Sequence, residues 1–280
     1  MPNDRSKTAA AAFVLAVFVG WLPLQASFED APQAKPVDRL NGEYLKNLGR
    51  DFTEIVSSPV RWGTGDWLTF AALAGTGAAL YAIDNDLYDW IQKNQGSASE
   101  DASTVFGRLG NGGILSAFMG ALYAGGEIFD EPGLRRTALL SLESFLTTSA
   151  IVLGTKAVFG RARPNAGEGA RSFHPFSLST RYTSLPSGDA AGAFAVAATI
   201  AEETPGTAVD ILAYGLAGLV AVFRVHDRKH WPADVFAGSA LGFFVAKKIC
   251  RLNKPGRGNA YHVAFRLTPS ERAVTLSIYF

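Results

Sequence analysis

The feature that most constrains the fold is a series of six uncharged stretches rich in Ala, Leu, Gly and Phe. Charges, or Gly and Pro, bound each of them. They span residues 67–83, 109–126, 144–155, 190–201, 211–223 and 235–246. Their length, alanine content and lack of strict alternation are typical of helices rather than strands. The sequence therefore predicts an all-α fold, a bundle of about six core helices.

The length of these stretches bears on whether the bundle crosses a membrane. Four of the six have only 12 or 13 residues, which is roughly 18–20 Å of helix against about 30 Å of hydrocarbon. Glu143, Glu202, Glu203 and Asp210 would also lie in or near the hydrocarbon, where charges are costly. These observations favour a soluble or membrane-associated bundle. The two longest stretches keep a membrane-embedded bundle as the alternative.

The first residues have the pattern of an export signal. A charged leader with Arg5 and Lys7 precedes an apolar run at residues 9–22, and Ala26 stands at a plausible cleavage point. We predict a signal peptide over residues 1–26 and an exported, periplasmic or envelope-associated protein. The alternative is an uncleaved anchor helix, although the apolar run is short for a full span.

Composition excludes two classes of protein. The formal net charge is +1 and only 18% of residues are charged, so the basic surface typical of nucleic-acid binding is missing and no nucleic-acid partner is expected. Cys250 is the single cysteine, which rules out an intrachain disulfide framework.

The two ends of the chain differ from its apolar middle. Residues 27–60 are mixed and polar and read as an N-terminal extension with one helix around residues 39–56. Residues 254–280 contain two partly alternating runs around "TPSER", a pattern typical of a hairpin. A small C-terminal β-hairpin packed on the bundle is expected. A closing strand of an outer-membrane barrel is the less favoured reading, because one hairpin cannot form a barrel.

The segment "KAVFGRARP" is the first that carries chemistry. Lys156 lies near the end of an apolar helix, Gly160 is a natural C-terminal stop, and Arg163-Pro164 follows in extended form. A turn at the glycine can aim the lysine and the arginine at a common point. Taken alone, however, basic residues at a helix C-terminus are usually solvated and favoured by the helix dipole.

The segment "PSGD" is the second. Ser187 is a good N-cap and Gly188 lets the backbone approach a ligand, so the free N–H groups of the helix start can bind an anion. Asp189 then adds an anion of its own at that position. The plain alternative is ordinary capping, because an aspartate in the first turn is stabilised by the dipole.

The segment "FRVHDRKHWPADVFAG" is the third. Pro232 fits the first position of a helix, with His230 just outside it and Asp234 in its first turn. A carboxylate there can reach back to one ring nitrogen of His230 and leave the other free as base or nucleophile. Arg224, at the end of the preceding apolar stretch, can point into the same cleft. The alternative is a simple surface hydrogen bond.

In chain order the three segments read Lys156-x6-Arg163-Pro164, Pro186-Ser187-Gly188 and Arg224-x5-His230-x3-Asp234. This resembles the type 2 phosphatidic acid phosphatase (PAP2) superfamily, and the likeness covers roughly residues 67–250. Within that superfamily, "KHWPADVFAG" looks closest to exported bacterial acid or lipid phosphatases. The resemblance implies an all-helical PAP2-like phosphatase domain over residues 61–253, with its site between helix ends.

The resemblance also implies a mechanism. Three cations, Lys156, Arg163 and Arg224, would bind the phosphoryl oxygens, and the backbone around Ser187 and Gly188 would complete the cradle. His230 would attack phosphorus to form a phosphohistidine, oriented by Asp234. Three cations suit a transition state that is stabilised mainly by positioning and charge. Neither a metal nor a cofactor is needed.

The sequence departs from the family pattern at the catalytic acid. The family usually has a histidine after Ser-Gly, as general acid for the leaving oxygen, where this chain has Asp189. An aspartate is normally ionised at neutral pH and then cannot donate a proton. Three readings follow: activity at acidic pH, a substrate with a good leaving group such as a diphosphate, or loss of hydrolysis. His226 is a less favoured substitute acid.

A second departure is Phe223, which stands where the family often has a serine.

The sequence leaves three hypotheses about function. The favoured one is a phosphatase that hydrolyses a phosphomonoester or diphosphate, on a lipid or a small molecule, with Asp189 as a catalytic residue. The second is a catalytically impaired envelope protein that binds phosphorylated ligands. The third is vanadate-dependent halide oxidation, for which no residue marks a halide site.

Overall fold

The computed structural model describes residues 38–177 and 179–254, and the backbone of residues 262–268 and 273–279. Its described part contains nine α-helices. They are α1 (Gly42–Ser57), α2 (Thr64–Ala82), α3 (Asp84–Lys93), α4 (Ser97–Leu109), α5 (Gly112–Ile128), α6 (Pro132–Phe159), α7 (Gly188–Glu203), α8 (Thr207–His226) and α9 (Pro232–Leu252). The predicted signal segment, residues 1–26, lies outside the described residues.

The all-helical prediction is confirmed, but the number of six helices is wrong. All six uncharged stretches form helices, and the helix expected around residues 39–56 is α1. The two further helices, α3 and α4, carry several charged or polar residues, including two aspartates in the first turn of α3. A search for uncharged stretches misses such helices because only one of their faces packs against the bundle.

Helix α6 ends where the sequence predicted, at Gly160. This residue has φ 58° and ψ 39°, in the left-handed region that favours glycine, and its N–H bonds to the Lys156 carbonyl at 2.9 Å. A Cβ atom at Gly160 would lie 1.8 Å from the carbonyl oxygen of His174. The turn therefore needs glycine, and it sends the residues after Phe159 back across the end of the helix.

The centre of the bundle is α7, which packs against α6, α8 and α9. Ten consecutive residues, from Ala190 to Thr199, are buried, and six of them are alanine. Small side chains allow close approach: a Cβ at Gly238 of α9 would lie 2.3 Å from the Ser187 carbonyl oxygen, and one at Gly242 would lie 2.0 Å from that of Ala191. The two glycines thus set how closely α9 lies beside the start of α7.

Replacing Gly242 with alanine should lower the free energy of unfolding by about 1–3 kcal/mol, because the added methyl group overlaps the α7 backbone rather than a flexible side chain. Urea unfolding followed by circular dichroism measures the change. The matched control is Gly215→Ala on α8, where the space around the Cβ is open, and it should be neutral or stabilising by up to about 1 kcal/mol. Equal stability of the two variants would contradict this close packing.

Two helices, Pro132–Phe159 and Thr207–His226, are long and apolar enough to cross a membrane, by length and composition alone. Neighbouring helices bury 56% of the apolar window of the first and 39% of that of the second. Both also expose large apolar side chains, such as Leu153 on α6 and Leu212 on α8. These features fit membrane or envelope association.

The C-terminal backbone forms two strands, β1 (His262–Thr268) and β2 (Ala273–Tyr279). They pair antiparallel, from His262 opposite Tyr279 to Thr268 opposite Ala273. The residues that would join them to the bundle and to each other lie outside the described part of the chain. The hairpin packed on the bundle therefore stays a prediction.

Candidate active site

The ring of His230 lies in a buried position just before α9, with 2% of the residue exposed. Its Nδ1 atom is 2.7 Å from the carbonyl oxygen of Ser184. A carbonyl can only accept, so Nδ1 carries the proton and Nε2 keeps its lone pair. Burial, and then the charges of Lys156 and Arg163, hold the pKa of His230 well below its usual range. The ring is therefore neutral near pH 7, as a nucleophile requires.

Asp234 does not hold the ring in the expected way. Its Oδ2 accepts from the Ser184 hydroxyl at 2.5 Å and from the Trp231 N–H at 3.1 Å, and its Oδ1 pairs with Arg161 at 2.6 Å. The direct hydrogen bond predicted between Asp234 and His230 is wrong. In the first turn of α9 the carboxylate caps its own helix, and the Ser184 carbonyl occupies the ring nitrogen instead.

The start of α7 forms one wall of the site. Ser187 is the N-cap, its Oγ accepting from the Ala190 N–H at 3.4 Å, and its own N–H donates to the Asp234 carbonyl at 2.9 Å. A Cβ at Gly188 would lie 3.9 Å from Cε of Lys156. The second segment thus contacts the third and lies close to Lys156 of the first.

Lys156 and Arg163 converge on Thr183. The Lys156 ammonium donates to the Thr183 carbonyl, and Nη2 of Arg163 donates to the Thr183 hydroxyl at 3.0 Å. Burial first, and then the charge of Arg163, lower the pKa of Lys156 to about 8. Burial is likewise the main cause of a lowered pKa of Arg163, partly offset by Asp189 and Asp234. Two cations that repel each other in a half-buried site favour an anionic ligand.

The residue at the acid position, Asp189, contacts the third cation. Its Oδ2 lies 2.7 Å from Nη1 of Arg224, and 34% of its side chain is exposed. Arg224 also donates to Asp227 at 3.1 Å and to the Gly107 carbonyl, while its buried Nε has no partner among the described residues. Asp189 is therefore more than a solvated helix cap.

The other sequence-level candidate for the acid, His226, is held elsewhere. Its Nδ1 lies 3.0 Å from Asp227 and its Nε2 3.2 Å from the Ser99 hydroxyl. Phe223 stacks on Phe106, with ring centroids 6.1 Å apart. These partners of His226 and Phe223 are residues other than His230 and the three cations.

Comparison with known families gives a match over the part of the chain that holds these residues. Residues 137–255 match the family model described as the PAP2 superfamily. Over these residues the chain is similar to the PAP2 superfamily. All eight sequence-predicted site residues, from Lys156 to Asp234, lie within the matched range.

Among solved structures, the chain is similar to the crystal structure of Aquifex aeolicus LpxE. The two are 21% identical, with a TM-score of 0.48, and the match covers 59% of this chain and 93% of that chain. The comparison with curated protein sequences gave no match.

Three residues that contact or support the candidate site were not predicted. Ser184 holds the ring of His230, Arg161 holds Asp234, and Asp84 holds Arg161 at 2.6 Å. Arg161 lies in the same "GRARP" segment as Arg163, so the sequence could have indicated it as a further candidate site residue. Asp84 had no such signal, because it comes from outside the PAP2 match and 77 residues before Arg161.

An open apolar cavity of about 800 Å³ lies between α1, α2, α6 and α9. Its wall includes Thr155, the residue before Lys156, and Ala237, which follows Asp234 by one helical turn. Most of the remaining lining is aliphatic or aromatic. The cavity thus borders the two helices that carry residues of the first and third segments.

No group of three or more His, Cys, Asp or Glu side chains in the described ranges is arranged to hold a metal ion. The charged groups that act on His230 are three cations, Lys156, Arg163 and Arg224. Such a set suits a phosphoryl group rather than a cation.

Proposed function

We propose that this PAP2 domain is a phosphatase that hydrolyses a phosphomonoester or a diphosphate through a phosphohistidine on His230. The observation that carries the proposal is the electrostatic setting of that ring. Lys156, Arg163 and Arg224 each lower its pKa, so three cations lie close enough to act on a neutral imidazole. The same three charges would stabilise the phosphoryl oxygens in the transition state.

The reaction would run in two displacements. The Nε2 lone pair of His230 forms an N–P bond while the bond from phosphorus to the leaving oxygen breaks, and protonated Asp189 gives that oxygen its proton. Water then attacks phosphorus, the N–P bond breaks, and ionised Asp189 takes the proton of the water. Inorganic phosphate leaves, and the residue that served as acid is restored.

Use of Asp189 as the general acid implies an acidic working range. An ionised Asp189 holds Arg224 at 2.7 Å and would compete with the phosphoryl oxygens for it. Protonation removes that competition and supplies the catalytic proton. A diphosphate or another good leaving group needs less protonation and would keep activity at higher pH.

The apolar cavity supports a lipid phosphate as substrate. Its walls include Thr155, which precedes Lys156, and Ala237, one helical turn after Asp234, so an acyl chain bound there would have its headgroup toward the end of the cavity where these residues lie. Small phosphorylated molecules remain the second substrate class. No nucleic-acid partner is proposed, because the charge balance gives no basic surface.

We also propose that the protein is exported and acts at the envelope. The leader at residues 1–26 supports export, and the exposed apolar side chains of α6 and α8 support contact with a membrane. Residues 27–60 would then serve as an extension, residues 61–253 as the phosphatase domain and residues 254–280 as a C-terminal hairpin.

Phosphate release across pH 4–8 tests the activity. The substrates are a lipid phosphate, a diphosphate and a small monoester, each with the wild-type protein and with His230→Ala. We expect turnover that depends on His230 and rises toward acidic pH for the monoester. Absence of turnover for all three at every pH would overturn the proposal.

The second candidate function is a binding protein that has lost hydrolysis. The Asp189–Arg224 ion pair is the observation that favours it, because it ties up one of the three cations. Such a protein would bind phosphate or a phosphorylated lipid in calorimetry without releasing phosphate.

A further inference from the structure

Three buried residues behind His230, Arg161, Ser184 and Asp234, contact one another in a closed cycle. The Arg161 carbonyl accepts from the Ser184 N–H at 3.0 Å, and the Ser184 hydroxyl donates to Oδ2 of Asp234 at 2.5 Å. Oδ1 of Asp234 returns to Nη1 of Arg161 at 2.6 Å. None of the three is more than 1% exposed. Ser184 is therefore held through both its backbone N–H and its side chain.

The carbonyl of this same residue holds the imidazole. The Ser184 carbonyl receives Nδ1–H of His230 at 2.7 Å, so the direction of that carbonyl sets the tautomer and the rotation of the ring. Asp234 reaches the ring only through the Ser184 hydroxyl. A carboxylate that held the ring directly would need no such intermediary.

A fourth residue, Asp84, connects this cycle of contacts to the helices of the bundle. Asp84, in the first turn of α3, pairs with Nη2 of Arg161 at 2.6 Å and accepts from the Ala233 N–H at 2.8 Å. The Arg161 guanidinium also lies 4.8 Å from the centre of the Tyr81 ring. One arginine is thus held between two carboxylates, and both carboxylates also bind backbone N–H groups at the start of α9.

We propose that Ser184, Arg161 and Asp84 are positioning residues for His230. Ser184 orients the ring through its carbonyl, and Arg161, held by Asp84, fixes that carbonyl by way of Asp234. Asp234 then acts on His230 through Ser184. The effect on catalysis rests on the proposed phosphatase function, whereas the orientation of the ring can be measured without turnover.

The first test is Ser184→Ala, which keeps the carbonyl and removes the hydroxyl contact to Asp234. We expect kcat to fall by about 10-fold with KM little changed, because the cradle is intact while the nucleophile is less well aligned. Ring ¹⁵N NMR supplies a readout free of activity. The chain has four histidines, and His230→Gln assigns the signal. The wild type should show His230 with Nδ1 protonated, and Ser184→Ala a mixture of tautomers.

Two further variants make the test specific. Ser184→Thr keeps the hydroxyl and should restore both kcat and the NMR signature. Ser239→Ala is the matched control, because this serine is equally buried on α9 and its hydroxyl has no partner among the described residues. It should leave kcat and the His230 signal unchanged.

The Asp84→Asn variant tests whether the carboxylate of Asp84 holds Arg161 in place. The amide oxygen can still accept from Ala233, while the charge facing Arg161 is lost. We expect a fall in kcat of about 3- to 10-fold, a cost typical of loosened alignment, and a shift of the His230 signal in the same direction as in Ser184→Ala.

The outcomes separate the two proposals. A wild-type His230 with Nε2 protonated, or an unchanged His230 signal in both Ser184→Ala and Asp84→Asn, would overturn the positioning role. The expected NMR signatures without turnover of any substrate would overturn the phosphatase proposal and leave the orienting contacts standing.

Discussion

Replacing His230 with alanine should lower kcat by at least about 10³-fold for every substrate that the wild type hydrolyses, because loss of the nucleophile removes the covalent route. Affinity for inorganic phosphate should change little, since Lys156, Arg163 and Arg224 stay in place. Phosphate release gives kcat, and isothermal titration with phosphate gives the affinity. A large loss of kcat with little change in the affinity for phosphate identifies His230 as a nucleophile rather than a binding residue.

The matched control is His174→Ala. This histidine lies in the segment between α6 and α7, where it contacts Glu168 at 2.7 Å and stacks on Tyr182. The His174→Ala variant should keep kcat within about 2-fold of the wild-type value, as is usual for surface substitutions away from a site. Retention of most of the activity by His230→Ala would contradict a histidine nucleophile at this position.

Replacing Asp189 with histidine should raise kcat/KM for a small phosphomonoester at pH 7 by about 10²-fold, because a positioned general acid contributes about 10²–10⁴-fold. An imidazole with a pKa near ~6.5 is partly protonated at that pH, whereas a carboxylate is not. The substitution also removes the ion pair that holds Arg224. The gain should shrink toward pH 4 and for a diphosphate with a good leaving group.

Asp189→Asn separates the two effects. It removes the negative charge beside Arg224 without supplying a proton donor, so KM should fall while kcat at pH 7 does not rise. If Asp189→His were no more active than the wild type at pH 7, the acid role of this position would be contradicted. If it were active where the wild type has no turnover at any pH, the chain would be a binding protein.

The sequence predicted the helical fold because the core is made of long apolar stretches. Each of the six became a helix, and the glycine at the end of "KAVFG" ended α6 as expected. Helices α3 and α4 were missed because their polar faces interrupt every uncharged run. Whether the apolar faces of α6 and α8 meet protein or lipid was also beyond the sequence, since their length and composition suit both.

The part of the candidate site that lies within the three sequence segments could be predicted. The structure brings Lys156 beside Gly188 at the start of α7 and places Arg224 against Asp189. Lys156 and Arg163 both bind Thr183. The contacts behind His230 were not predictable, because they join Asp84 to Arg161 across 77 residues and Ser184 to Asp234 across 50. Local spacing put Asp234 within reach of His230, but it could not reveal competing partners from other segments.

Trapping the covalent intermediate tests the central claim most directly. The protein would be mixed with a ³²P-labelled substrate, quenched in alkali within milliseconds, digested and analysed by mass spectrometry. The phosphohistidine mechanism predicts label on the peptide that contains His230, stable in alkali and lost in acid, and absent in His230→Ala. Turnover by the wild type with no label on that peptide at any quench time would contradict it.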